Sequence, residues 1–586
     1  MPENEITGKA FDLRLLSRIV RYVKPYKALF VLTGCLTLIL AVLGPLRPYL
    51  IQYTVDNSII IPNKGLLLNL TLLLIFILIL EGVLQFVETY SANKVGQLVI
   101  RDLRNEVFSK ISGFRLKYFD RTPIGRLVTR AVSDIETISE IFSQGILVII
   151  GDILKLIVVV GFMFYTSWQL TLVSLIPVPI LILATIIFKN YIKKAFREVR
   201  NAVSALNSFV QEHITGMNIV QIFNREEREF ERFKEINEEH KKAHIKTVWA
   251  NAIFFPVVEI LSAASIAILV WWGAKSVIAG SATPGGLVAF ILYIYMLFRP
   301  IRQLADKFNV LQMGMVSGER VFKVLDTDAK IENEGHLSFE QPLKGQVKFE
   351  NVFFAYSGED YVLKDVSFSI EVGETAAFVG ATGAGKSSVI NLISRSYEFQ
   401  KGLIEIDGNN IRDYSLNYLR QNIGVVLQDV FLFSGSVLDN ITLRNNEIRL
   451  EKAVEAAKLV GAHDFIMKLP GGYDFNVRER GAMLSVGQRQ LLSFIRAYVY
   501  NPAILILDEA TSSVDTESEM LIQKAIDVIT KGRTSIIIAH RLATIQNADK
   551  IFVLDKGRLV ESGSHQSLLE QNGHYKTLVD LQFSET

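Results

Sequence analysis

Thr375-Ala-Ala-Phe-Val379 runs straight into Gly380-Ala-Thr-Gly-Ala-Gly-Lys386-Ser387, and a helical pattern follows. The stretch fits G-x-x-x-x-G-K-[ST] at every fixed position. Its glycines permit a backbone that closes around phosphate oxygens, and the helix behind it offers its positive end to them. Gly380, Ala381, Thr382, Gly383, Ala384, Gly385, Lys386, Ser387 and Ser388 are therefore the candidate phosphate cradle. Lys386 would reach the β- and γ-phosphates, and Ser387 would hold Mg²⁺. A chance match would lack the strand before and the helix after; both are present.

Further along, the apolar run Ala503-Ile-Leu-Ile-Leu507 ends in Asp508 and Glu509. This pattern predicts a buried parallel strand carrying two acids to its C-terminal end, the edge where open α/β sheets bind ligands. Asp508 would support Mg²⁺, and Glu509 would polarise the water that attacks the γ-phosphate. The plainer alternative is an acidic pair capping the next helix. Another predicted strand, Thr534–Ala539, leads to His540, either a structural residue or a γ-phosphate sensor that helps hold the water.

The rest of the 586-residue chain has a different composition. Half of all residues are hydrophobic, 21% are charged, and the net charge is +2. That balance excludes a disordered scaffold and gives no case for nucleic acid as main partner. The single cysteine, Cys35, can build neither a disulfide nor a thiolate metal site. Six segments approach the roughly 20 apolar residues that cross a bilayer as a helix, near 28–52, 66–92, 146–166, 169–188, 250–274 and 285–308. Lys9, Arg14, Arg18, Arg21, Lys24 and Lys27 precede the first, and the connections 93–145 and 189–249 are rich in Lys and Arg. Basic flanks stay inside, which predicts cytoplasmic termini. Leu15, Ile19 and Val23 share a face opposite the arginines, predicting an N-terminal helix lying on the inner leaflet.

The two inner connections carry helical periodicity and few Gly or Pro. Each predicts two helices continuing out of the membrane, turning near 119–124 and 214–217. From Asp326 to about Lys344 the sequence turns polar and irregular, giving expected boundaries of 1–325 for a transmembrane domain, 326–344 for a linker and 345–586 for a nucleotide-binding domain.

Leu484-Ser-Val-Gly-Gln488 resembles the signature of ATP-binding cassette (ABC) proteins, and Ser513-Val-Asp515 resembles their D-loop. Gln428, after the run Ile423–Leu427, is similar to the family's Q-loop glutamine, which implies a role in Mg²⁺ binding and catalysis. Tyr356 resembles the aromatic that stacks on adenine, and Glu479 with Gly481 the short acidic stretch of exporters. Order and spacing agree over 345–586, and the six spans with Phe-Asp-x-x-x-x-Gly-Arg at 119–126 extend the likeness to ABC exporters of the multidrug and lipid-flippase type. The resemblance implies an α-helical membrane domain with six transmembrane helices plus an α/β P-loop ATPase domain. It also implies ATP and Mg²⁺ as cofactors and a second half-transporter chain as partner. ATP would lie between Lys386 and Glu509 of one chain and Ser485, Gly487 and Gln488 of the other, with Asp515 nearby. An ordinary helix N-cap is the alternative for Ser485.

The family's signature usually has Gly where Val486 stands. In the family such a change often marks one half of an unequal pair, which favours a heterodimer over a homodimer. The expected activity is ATP-driven export or flipping of hydrophobic or amphipathic molecules. The alternatives are an ATP-gated channel or regulator, against which an intact Glu509 argues, and a membrane kinase, for which no acceptor-binding segment is found. Asp152 with Lys155, Glu81 and Glu259 lie within predicted spans, where charges mark either local ion pairs or wet cavities. Trp271 and Tyr295 are either interface anchors or pocket lining. The short N-terminus, without a transit-like stretch, predicts a bacterial cytoplasmic membrane.

Overall fold

The structure is a computed structural model and describes residues 13–330, 335–508, 516–538 and 542–583. The chain divides into two compact units: residues 1–112 with 124–328, and residues 113–123 with 329–586.

The first unit is helical. Its long helices are Lys27–Thr54, Lys64–Ser112, Ile124–Thr166, Trp168–Thr215, Glu226–Ile278 and Pro284–Asp326, the third and fourth of them interrupted by π-helical or open turns. Among the described residues, five helices are long and apolar enough to cross a membrane. The expected sixth span, 285–308, is shorter in its apolar part, Pro284–Phe298, because Arg299 and Arg302 follow. The 53 residues of Glu226–Ile278 run ~80 Å, against a hydrocarbon core of ~30 Å. The predicted extensions beyond the bilayer are thus present as continuous helix. The third and fourth spans meet at Ser167, whose Oγ accepts from Leu170 N and caps the returning helix.

The helices pack through Val159, Met163, Phe254, Leu269, Phe290 and Tyr293. The Tyr293 hydroxyl, fully buried, donates to the Pro45 carbonyl at 3.1 Å. The N-terminal helix Leu13–Arg21 differs from the expectation. Ile19 and Val23 are buried, and Ile19 with Leu15 lies against Gly318 of the last long helix. Arg18 makes two 2.6 Å hydrogen bonds to Asp326. The apolar face is therefore covered by protein, not lipid, and the ion pair helps fix it there.

Two sheets build the second unit. Strands β1 (Val347–Phe354), β2 (Leu363–Ile370), β3 (Thr375–Val379), β4 (Lys401–Ile406), β5 (Asn409–Asn410), β6 (Ile423–Val426), β7 (Ile504–Asp508), β8 (Thr534–Ile538), β9 (Lys550–Asp555) and β10 (Arg558–Gly563) form an antiparallel sheet β2-β1-β4-β5 and a six-stranded sheet β10-β9-β3-β8-β7-β6. In the larger sheet β9, β3, β8, β7 and β6 are mutually parallel. Alternate residues enter two cores: Phe378, Ile506, Ile536 and Phe552 meet the antiparallel sheet, whereas Ala377, Val379, Leu505 and Ile537 meet the helices. Burial on both faces is why these strands are apolar throughout.

Candidate ATP site

The phosphate loop leaves the C-terminal end of β3. Gly380 has φ +150°, and a Cβ there would lie 2.2 Å from the Leu554 carbonyl oxygen, so no other residue fits. Gly385, at φ +108°, is the N-cap of helix Lys386–Ile393. Ala381, Thr382, Gly383 and Ser387 are exposed, whereas Ala384, Lys386 and Ser388 are buried. The exposed arc and the helix N-terminus together form a surface of backbone donors suited to phosphate. Lys386 Nζ donates to the carbonyls of Gly380 at 2.6 Å and Ala381 at 3.1 Å, bracing the loop. Burial lowers the Lys386 ammonium below the usual lysine range, and Asp508 draws it part of the way back.

Register places the other groups on the same edge. Asp508 of β7 pairs with Ile538 of β8, and Phe378 of β3 pairs with the same Ile538. Val426 of β6 pairs with Leu507, so the exposed Gln428 follows from the same edge two residues later. The structure thus brings the phosphate loop, Asp508 and Gln428 to one edge. Glu509, Asp515 and His540 lie outside the described residues. No cluster of three or more His, Cys, Asp or Glu suited to a metal occurs among the described residues. The donors present, the Ser387 hydroxyl, the Asp508 carboxylate and the Gln428 amide, are hard oxygens that fit Mg²⁺ sharing its coordination with phosphate and water.

Tyr356 stands at the end of β1 with its ring edge-on to Phe354 and Tyr397, at centroid distances of 4.7 and 4.9 Å. Its hydroxyl shares a 3.1 Å hydrogen bond with Ser388 Oγ and accepts from Asn391 at 3.0 Å. Two supports for Tyr356 escaped the sequence reading. Gln400 accepts from Ala355 N at 2.8 Å and donates to Ala355 O at 3.0 Å, replacing a strand neighbour. Arg121, in the 113–123 stretch that belongs to this unit, donates to Tyr356 O at 3.2 Å and to Ser357 Oγ. The Phe-Asp-Arg run flagged Arg121 as part of a turn, but nothing in it points to Tyr356.

The signature residues sit elsewhere, at the start of helix Val486–Tyr500. Ser485 Oγ accepts from Gln488 N at 3.2 Å, and Gln488 Oε1 accepts from Ser485 N at 3.0 Å, a complete capping box. Gly487 is buried and Val486 is 44% exposed. Among the described residues no hydrogen bond or ion pair joins this helix start to the phosphate loop. The Ser485 oxygen, already an acceptor, keeps its O–H free to donate.

Two of the acids in the spans pair across helices. Asp152 pairs with Lys307, and Glu81 lies 3.5 Å from Arg47. A Cβ on Gly44 would touch both Glu81 and Lys155. Unpaired, a charge at membrane depth costs about 2.5–3.5 kcal/mol on insertion scales, so pairing of this kind holds the helices in register.

The ABC transporter transmembrane region profile matches residues 30–301, and the ABC transporter profile matches residues 363–512. The chain belongs to the ABC transporter family. It is 38% identical to an uncharacterized ABC transporter ATP-binding protein of Bacillus subtilis, YknV, over 99% of this chain and 96% of that one. It is 35% identical to an ATP-dependent lipid A-core flippase of Syntrophus aciditrophicus, over 97% of this chain and 95% of the relative. A Staphylococcus aureus protein named for multidrug export, an ATP-binding/permease protein, is 36% identical over 97% of this chain and all of the other. This ABC exporter is a multi-pass membrane protein with one membrane region fused to one ATPase domain, and it binds ATP and couples its hydrolysis to transport.

Proposed function

We propose that this exporter works as a pair of half-transporters, with MgATP held between the phosphate loop of one ATPase domain and the signature of the other. The single observation carrying this reading is the chain's division of the site. The phosphate loop, Asp508 and Gln428 share one sheet edge, whereas Ser485 caps a separate helix. A chain with one copy of each completes a two-sided site only with a neighbour. Glu509 polarises the attacking water, His540 senses the γ-phosphate, and Asp515 lies near the shared interface. Mg²⁺, when bound, neutralises phosphate charge beside Ser387, Asp508 and Gln428.

The cargo is hydrophobic or amphipathic, moved outward across a bacterial cytoplasmic membrane with both termini on the inner side. The turn helix Leu116–Arg121 and the tip helix Met217–Ile222 act as levers on the ATPase domains. Exposed Ile219, Ile222 and Phe223 at the second tip support this role, because apolar side chains on a cytoplasmic turn call for a docking surface. Val486 favours an unequal partner over a second copy. ATP can drive such switching only if it prefers the closed pair by several kcal/mol, which an interface-bridging triphosphate can provide. The test is ATP-dependent accumulation of a fluorescent amphiphile in proteoliposomes. Glu509→Gln should abolish it; accumulation that persists in this variant, or ATP consumption with no directed movement, contradicts the reading.

A further inference from the structure

A groove of about 670 Å³ runs along one face of helix Glu226–Ile278, lined by Glu259, Ser262, Ala267, Val270, Trp271 and, from the last long helix, Tyr295. The spacing of the first five is that of a single helical stripe. Small side chains at Ser262, Ala263 and Ala267 leave the room, and the two aromatics supply ring surface. Glu259 is the one charged group among the described lining residues, and it is exposed. It differs from the other acids at membrane depth, since Asp152 is paired with Lys307 and Glu81 with Arg47. Among the described residues no basic side chain or hydrogen-bond donor meets Glu259. A carboxylate so placed cannot face hydrocarbon, so the groove opens to water or to a ligand that brings the missing charge.

We propose that this groove binds lipophilic organic cations, and that Glu259 sets the charge of what enters. The inference rests on the export reading and names the class of its cargo. A cation with apolar arms pairs with Glu259 while its arms cover Val270 and the alanines. Trp271 and Tyr295 add attraction through their ring faces. The exposed Lys275 Nζ stands 4.2 Å from the Trp271 ring centroid, so an entering cation takes the other ring face or displaces this ammonium. An anion of the same shape meets repulsion, and a neutral one leaves the carboxylate buried without a partner.

Tetraphenylphosphonium and tetraphenylborate, equal in shape and opposite in charge, are the probes. Their displaceable binding is measured on the full chain with its partner subunit in lipid nanodiscs, with Trp quenching as a second readout. Tetraphenylphosphonium should bind saturably, Glu259→Gln should weaken it at least tenfold, and Glu259→Asp should recover most of the loss. Trp271→Phe, a milder change should Glu259→Gln fail to assemble, should reduce the quench and weaken binding several-fold. Equal binding of the two probes, or wild-type binding of tetraphenylphosphonium by Glu259→Gln or by Trp271→Phe, overturns the site. Glu259-dependent binding with no ATP-driven movement of any amphiphile would instead sink the export reading and leave the site standing.

Discussion

Arg121 Nη2 donates to the main-chain carbonyl of Tyr356 across 3.2 Å, joining the turn between the second and third spans to the residue proposed to stack on adenine. With Leu116–Arg121 as the proposed lever and Tyr356 as the proposed adenine platform, this contact to the Tyr356 backbone gives the lever a way to register whether ATP is present. Arg121→Ala removes two exposed charge-assisted bonds, to Tyr356 O and Ser357 Oγ, together about 1 kcal/mol or roughly a fivefold rise in the KM for ATP. ATP hydrolysis should persist while molecules exported per ATP fall. Paired measurement of hydrolysis and export in proteoliposomes checks this; an unchanged ratio contradicts it.

Gln400 supports Tyr356 from the other side, through both backbone groups of Ala355. Gln400→Ala should lose about 1–3 kcal/mol of local stability, two hydrogen bonds' worth, and raise the KM for ATP more than it lowers kcat. Steady-state ATPase kinetics decide; a fall in kcat alone would show that Gln400 acts on chemistry instead of on adenine binding.

Val486, exposed at the first turn of its helix, carries a Cβ where the family's signature usually has none. Val486→Gly should bring the backbone closer to a phosphate opposite it and raise ATP turnover of the assembled pair several-fold. Unchanged turnover would show that valine is tolerated and would remove the main support for an unequal pair.

His213, close to the helix-joining turn at Gly216, has both ring nitrogens on acceptors: Nδ1 on Phe209 O at 2.8 Å and Nε2 on Glu229 at 2.9 Å. The Phe209 carbonyl foremost, with Glu229 and Glu212 adding and burial opposing, raises its pKa above the ordinary value. A raised folded pKa gives stabilisation that is complete below about 6.5 and lost as pH rises through the folded value. Proteolysis at residues 216–225, normalised to a free peptide, should be slow at pH 6 and faster at pH 8, with Glu229→Gln flattening the difference. Equal wild-type rates contradict the linkage.

Local patterns made the ATPase unit legible. Strand Thr375–Val379 is found as predicted, and Asp508 closes β7 because the run before it is buried on both faces and a carboxylate is not. Pairings between distant segments were not legible. Asp152 and Lys155 are neighbours on one helix, but the ion pair of Asp152 to Lys307 comes from a second helix, a contact set by how helices cross and not by spacing. The N-terminal helix has an amphipathic pattern that serves a membrane surface or a protein groove equally, and Arg18 with Asp326 selects the groove. Gln400 and Arg121 carry no motif of their own: Gln400 acts through backbone atoms of Ala355, and Arg121 through the Tyr356 carbonyl and the Ser357 hydroxyl.

The central claim, that ATP bridges two polypeptides, is tested most directly by placing a photoreactive p-benzoylphenylalanine at Val486 in the Glu509→Gln background. Illumination with MgATP should give an adduct between chains that maps to the glycine-rich loop of the other polypeptide and is absent without nucleotide. An adduct within one chain, or one that forms equally without ATP, would contradict the account.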